Sequence, residues 1–151
     1  MEENSHLDKK SINIIKGTKA DWKELAKDCV CFANGVGGDI LIGIEDKDVL
    51  PKSNQKINDK LIEDIQKKIP SLTINVAVFP EKIVAENGGE YIKLKTLRSQ
   101  QTIASTTDGR YYMRVSDECR PVLPDELARL ATDKNAFVWL SLIHISEPTR
   151  H

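Results

Sequence analysis

The sequence predicts an α+β fold, a two-layer mixed sheet with flanking helices, and three observations carry that prediction. Between Asp21 and Ala33 the apolar residues Trp22, Leu25, Ala26, Cys29, Val30 and Ala33 follow the spacing of one helix face. The segment from Asp39 to Ile44 then has no polar alternation, as expected of a central strand buried on both faces. After a second helical pattern the chain becomes a run of short strand-like segments separated by glycine turns and closed by a helix.

Taken in order, Ile12 to Ile15 reads as a short first strand. Thr18 with Asp21 resembles a capping box at the start of the first helix, and Asn34-Gly35 offers left-handed residues to stop it. The second helix is expected from about Asn58 to Ile69, with Leu61, Ile62, Ile65 and Ile69 on one side and Pro70 ending it. A strand from Thr73 to Phe79 places Ile74, Val76 and Val78 on one face. Asn87-Gly88-Gly89 turns the chain into Glu90 to Leu97, where Ile92 and Leu94 oppose Tyr91, Lys93 and Lys95. Thr107-Asp108-Gly109 opens a strand from Arg110 to Val115, and Pro124 starts a helix to about Thr132.

The chain has 151 residues, with 22 Lys+Arg against 23 Asp+Glu, so any nucleic-acid role must rest on a local patch rather than on net charge. No apolar run approaches the ~20 residues of a membrane span. The start MEENSHLDKK is too polar for a signal peptide, so a cytoplasmic protein without a membrane partner is expected. Cys29, Cys31 and Cys119 form an odd set without a CxxC pair. Cys29 and Cys31 lie roughly 200° apart around a helix, so buried thiols are expected rather than a disulfide framework or a zinc site.

Leu140 to Arg150, LSLIHISEPTR, resembles the in-frame translation of a sequencing-library transposase adapter. Residues 140–151 are therefore read as foreign to a domain of residues 1–139, whose parent protein continues beyond Trp139. With this tail set aside His6 is the one histidine left, which argues against a Ser-His-Asp triad, a Cys-His pair or a multi-histidine metal site.

The glycines at 35, 37, 38 and 43 suggest a phosphate cradle at first sight. Such cradles follow a strand and open a helix, whereas these glycines lie at a helix C-terminus, where the dipole is negative. Asn34, Gly35, Gly37 and Gly38 thus read as a tight helix-to-strand turn, and Gly43 as a point of close approach.

The stretch FANGVGGDILIGIED, from Phe32 to Asp46, resembles the AFANxxGGxLxIGVxD signature of the Schlafen AlbA-2 domains. The stretch Gly109 to Leu127 is similar to the same family's closing G-x-x-Y-x-R-x-G-S pattern, and the resemblance spans about Ile12 to Leu130. It implies an AlbA-2-like fold within a bacterial or phage ATP-binding, helicase-like regulator, with DNA or RNA as partner. ATP, if bound, would be held beyond this chain, and no cofactor is expected within it. The family's first strand usually carries ExxxxE followed by Phe or Val and Lys, and those acids with Asp46 would form the metal site of Schlafen ribonucleases. Aligned to Lys9 through Lys16, the element shows Lys9 and Ile14 in place of the acids, so no metal, no catalysis and a solvated Glu45-Asp46 turn are expected.

Nucleic-acid contact is instead expected from Lys93, Lys95, Arg110, Tyr112 and Arg114. The period of two puts Arg110, Tyr112 and Arg114 on one strand face and the two lysines on another, and if both look to the same side they form a basic surface with an aromatic plate. An internal ion-pair role for Arg114, a protein-interaction or homo-oligomer module, and a metal-dependent nuclease are the competing readings. As a first test, deleting residues 140–151 should leave the Tm unchanged within about 2 °C by calorimetry, since 1 kcal/mol moves a domain of this size by about 3–5 °C. A larger drop contradicts the adapter reading.

Overall fold

A computed structural model describes residues 6–100 and 102–133, so the tail lies outside the described residues. The central sheet is mixed, with strand order β1-β2-β5-β4, formed by β1 (Leu7–Lys10), β2 (Gly38–Ile42), β4 (Val78–Val84) and β5 (Glu90–Thr96). β1 runs parallel to β2, and the remaining neighbours are antiparallel. A parallel pair needs a crossover, here supplied by helix α1 (Trp22–Asn34). Helix α2 (Asp59–Leu72) packs beside α1 on the same face of the sheet.

The core lies between this sheet and the two helices. Leu25, Ala26, Cys29 and Phe32 of α1 and Leu61, Ile65 and Ile69 of α2 meet Ile40, Ile42, Ile92 and Leu94 of the central strands. Two small sheets complete the fold: β3 (Thr73–Ile74) with β6 (Ser105–Thr106), and the hairpin of β7 (Tyr112–Val115) with β8 (Glu118–Pro121). The hairpin packs on the other side of α1, and a second cluster of Val30, Ala33 and Ala104, joined by Tyr112, fills the space between. This is why the last two turns of α1 are buried all round rather than along one stripe.

Several local expectations change. The first strand is Leu7–Lys10, while Ile12–Ile14 forms a 3-10 turn started by Ser11, whose hydroxyl accepts from the Asn13 N–H at 3.2 Å. Asp21 caps α1 itself, accepting from the Glu24 N–H at 3.1 Å, so the Thr18 box is not used. Helix α2 passes through Pro70 and ends at Leu72, because Ile69 and Leu72 both reach the core. The expected Thr73–Phe79 strand is divided at Asn75, which adopts φ 64°.

The turn after α1 is also built differently. Gly35 has φ −94°, and the left-handed residue is Gly37 at φ 77°. Asn34 stays helical and fully enclosed. Its side-chain amide donates to the carbonyls of Ala104 (2.8 Å) and Tyr112 (2.9 Å), and its carbonyl accepts from the Ala104 N–H (2.8 Å). Gly43, at φ 110°, lies under the side chain of Gln55, whose Nε2 donates to the Gly43 carbonyl at 2.9 Å.

Cys31 and Cys119 correct the expectation of three thiols. Their Cα atoms lie 5.7 Å apart and they form a disulfide across 88 residues, leaving Cys29 as the buried free thiol. Spacing along one helix excluded Cys29 with Cys31 but could not show that β8 crosses α1. Burial pushes the Cys29 thiol up to about 12.

Two substitutions test the turn by urea denaturation. Asn34→Ala orphans buried backbone groups of Ala104 and Tyr112 and should cost about 2–4 kcal/mol. Gly37→Ala should cost about 1 kcal/mol or more, because a left-handed Cβ there would meet the Thr96 carbonyl oxygen at 3.0 Å.

Candidate nucleic-acid interface

On β5 the period of two sends Ile92, Leu94 and Thr96 to the core and Tyr91, Lys93 and Lys95 to the outer face of the sheet. Register then decides their neighbours. Lys95 lies between Asp39 of β2 and Phe79 of β4, and Lys93 lies between Leu41 and Glu81. Phe79 is 56% exposed, so an aromatic ring stands beside Lys95 on a face the helices do not cover. Lys93 is drawn toward Asp39, with Nζ to Oδ2 at 3.9 Å. At the end of this face Lys95 joins His6, Arg98, Val36 and Leu97 around a shallow cleft of about 280 Å³.

Arg110, Tyr112 and Arg114 are elsewhere. Tyr112 and Arg114 look toward α1, because the alternation that groups residues on a strand does not say which side meets the core. Tyr112 packs against the small α1 cluster, with Lys27 Nζ 5.8 Å from its ring centroid. Arg110 is exposed in the turn before β7, with its Nε 3.7 Å from Asp108, and shares a cleft of about 440 Å³ with Lys23, Lys27 and Tyr112. Arg114 is interior, with its side chain only 2% exposed. It donates to the Leu7 carbonyl at 3.1 Å, lies 3.8 Å from Asp8 Oδ2, and holds its guanidinium 4.5 Å from the Phe32 ring centroid. The five residues are thus divided among three environments, and helix α1 separates the lysines from the others. Phe79 and Arg98 were missed, although the outward register of Phe79 follows from placing Ile74, Val76 and Val78 on the opposite face.

Arg114 belongs to a buried charge network. Lys10 Nζ lies 3.4 Å from Asp8 Oδ2 and 3.1 Å from Asp28 Oδ2. Burial pushes the Asp28 carboxyl up, outweighing the attraction of Lys10. Burial also opposes the charge on Lys10, yet Asp28 and Asp8 together raise it above its ordinary value. Burial wins at Asp28 because its side chain is 4% exposed, against 24% for Lys10.

Comparison with known proteins agrees with this architecture. The family model described as Schlafen, AlbA_2 matches residues 3–123, and the chain belongs to that family. No curated protein matches. The crystal structure of the DIP2311 protein from Corynebacterium diphtheriae is similar at a TM-score of 0.58 and 22% identity, over 88% of this chain and 24% of that one. The chain therefore spans about a quarter of that protein, and the likeness is one of fold.

The first strand also changes the acid comparison. With β1 at Leu7–Lys10, Asp8 and Lys10 lie on the first strand, whereas Ile14 and Lys16, the residues aligned there by resemblance, lie beyond it. Asp8 and Lys10 line one cleft with Glu45, Asp46 and Asp48, and Lys9 Nζ donates to the Asp48 carbonyl at 2.7 Å. Among the described residues no three His, Cys, Asp or Glu side chains are grouped so as to hold an ion, and Asp8 faces Lys10 and Arg114.

The raised Asp28 carboxyl carries a pH signature. Folded, Asp28 keeps its proton above the 3.8 of the unfolded chain, so its contribution to stability is greatest below that value and declines as pH rises through the folded one. Unfolding free energies of the wild type, measured relative to Asp28→Asn, should fall as pH rises from about 4 toward neutrality. A difference that rises or stays flat contradicts a burial-dominated Asp28.

Proposed function

We propose that this domain binds single-stranded nucleic acid, DNA or RNA, on the outer face of its central sheet, as one cytoplasmic module of a longer regulator. The observation that carries this reading is the cross-strand pair of Lys95 and exposed Phe79, with Arg98 and His6 at the same end. A cation beside an uncovered ring neutralises a phosphate while an unstacked base lies on the aromatic face. Lys93 contributes less because Asp39 already draws its charge. No helix among the described residues is long and apolar enough to cross a membrane.

Fluorescence anisotropy with a mixed-sequence 12-nucleotide strand separates the two contributions. Lys95→Ala should weaken binding and shallow the slope of log affinity against log salt by about 0.7, one phosphate contact on a single strand. Phe79→Ala should weaken binding by roughly 5- to 150-fold, equivalent to about 1–3 kcal/mol of stacking, with the slope unchanged. Unaltered affinity in both variants overturns the assignment.

The cleft that Asp8 shares with Glu45, Asp46 and Asp48 favours a second reading, a Schlafen-like metal-dependent nuclease. Cleavage of the same strand that requires magnesium or manganese and is lost in Asp46→Ala would support it. Binding without cleavage supports the first.

A further inference from the structure

We infer that the Cys31–Cys119 disulfide is a thiol-operated clamp, whose state decides whether the β7–β8 hairpin stays docked on α1 and Arg114 stays on Asp8. Position in the ladder is the first reason. Cys119 is the register partner of Arg114, so the covalent bond to Cys31 anchors the very rung that carries the guanidinium. Arg114 in turn reaches the β1 backbone at Leu7 and the carboxylate of Asp8, and stacks on Phe32 one residue after Cys31.

The second reason is that the hairpin is a two-stranded sheet on its own, a unit of marginal stability without packing or a staple. Its outer residues Val115, Ser116, Asp117 and Glu118 are exposed, and it packs mainly on α1, with Arg114 reaching β1. The third is chemical access. Cys31 is fully buried but Cys119 is only partly so, which makes Cys119 the side from which a small thiolate would approach. Cys29 does not compete in exchange, being enclosed and held as the neutral thiol.

The exchange balances with a small dithiol as reductant. Its thiolate attacks Cys119 Sγ, which breaks the S–S bond, releases Cys31 as a thiolate and leaves a mixed disulfide. Its second thiol, giving up its proton, then attacks the small-molecule sulfur, closes a ring and expels the Cys119 thiolate, and both thiolates take up protons. Two electrons pass to the protein, giving the free thiols of Cys31 and Cys119, and the dithiol leaves as a cyclic disulfide. Release of the rung removes Arg114 from Asp8, and so changes the charge beside the cleft that Asp8 shares with Glu45 and Asp46. In a reducing compartment such a bond is a transient, regulated one.

Limited trypsin digestion of the full chain with and without dithiothreitol reads the clamp directly. Cleavage after Arg114, whose side chain is 2% exposed, should be at least about ten times faster in the reduced protein. Cleavage after Arg110, 71% exposed, is the internal control and should change little, and Arg120 is silent because Pro121 follows it. Under denaturing conditions the oxidised protein should show one reactive thiol and the reduced protein three. Cys119→Ser should be cut at the reduced rate whether or not dithiothreitol is present, and Cys29→Ser should keep the full redox response. Three thiols in the oxidised wild type, or equal cleavage after Arg114 in both redox states, overturns the inference.

Discussion

Helix α1 has to be buried on two sides at once, and the rest of the structure follows from that constraint. Its sheet-facing stripe closes the main core, while Val30, Ala33 and Asn34 face the β6–β7 segment. A helix covered on both sides has little room for polar groups, and Asn34 is tolerated because its amide takes the place of a missing strand partner for Ala104 and Tyr112. One side chain thereby ties the helix end to two segments about 70 and 78 residues downstream. The turn that follows must reverse within a few residues so that β2 can enter the sheet beside β1, and Gly37 supplies the left-handed step.

The charges enclosed near β1 arise from the same geometry. A parallel edge strand with the sequence Leu-Asp-Lys-Lys cannot send every charge to water, so Asp8 and Lys10 turn toward α1 and meet Asp28 and Arg114. Such networks stabilise little relative to apolar packing, because desolvation offsets the attraction. Their effect is to make alternatives costly: any register that separates these groups leaves a buried charge without its partner. The Arg114 hairpin is therefore held by charge, by stacking on Phe32 and by the disulfide on its neighbouring strand, three attachments of different chemistry on one rung.

The two faces of the sheet consequently differ in kind. The inner face is committed to the helices, whereas the outer face keeps Lys93, Lys95, Tyr91 and Phe79 on adjacent strands with acidic neighbours at Asp39 and Glu81. A near-neutral chain can in this way present a local pairing of cation and ring without a basic overall charge. The acidic cleft beside Asp8 is a separate place, at the β1 side of the sheet.

Periodicity by itself determined the elements whose pattern is dictated by burial on one side. These are α1, α2, the central strand β2, the alternation along β5, and the glycine turns at Gly88 and Gly109, which adopt φ 86° and 84°. The family was legible too, in Phe32 to Asp46. Tertiary structure decided the rest, because it depends on what lies across the chain. Leu7–Lys10 is a strand only because β2 is there to pair with it, whereas the more apolar Ile12–Ile14 is drawn into a turn by Ser11. Period two put Tyr112 and Arg114 on one strand face but carried no sign, and only the docking of the hairpin on α1 turned that face inward, while Arg110 lies in the turn before the strand and stays exposed. The disulfide was invisible for the same reason: a bond across 88 residues reflects the crossing of two elements, which no local spacing records.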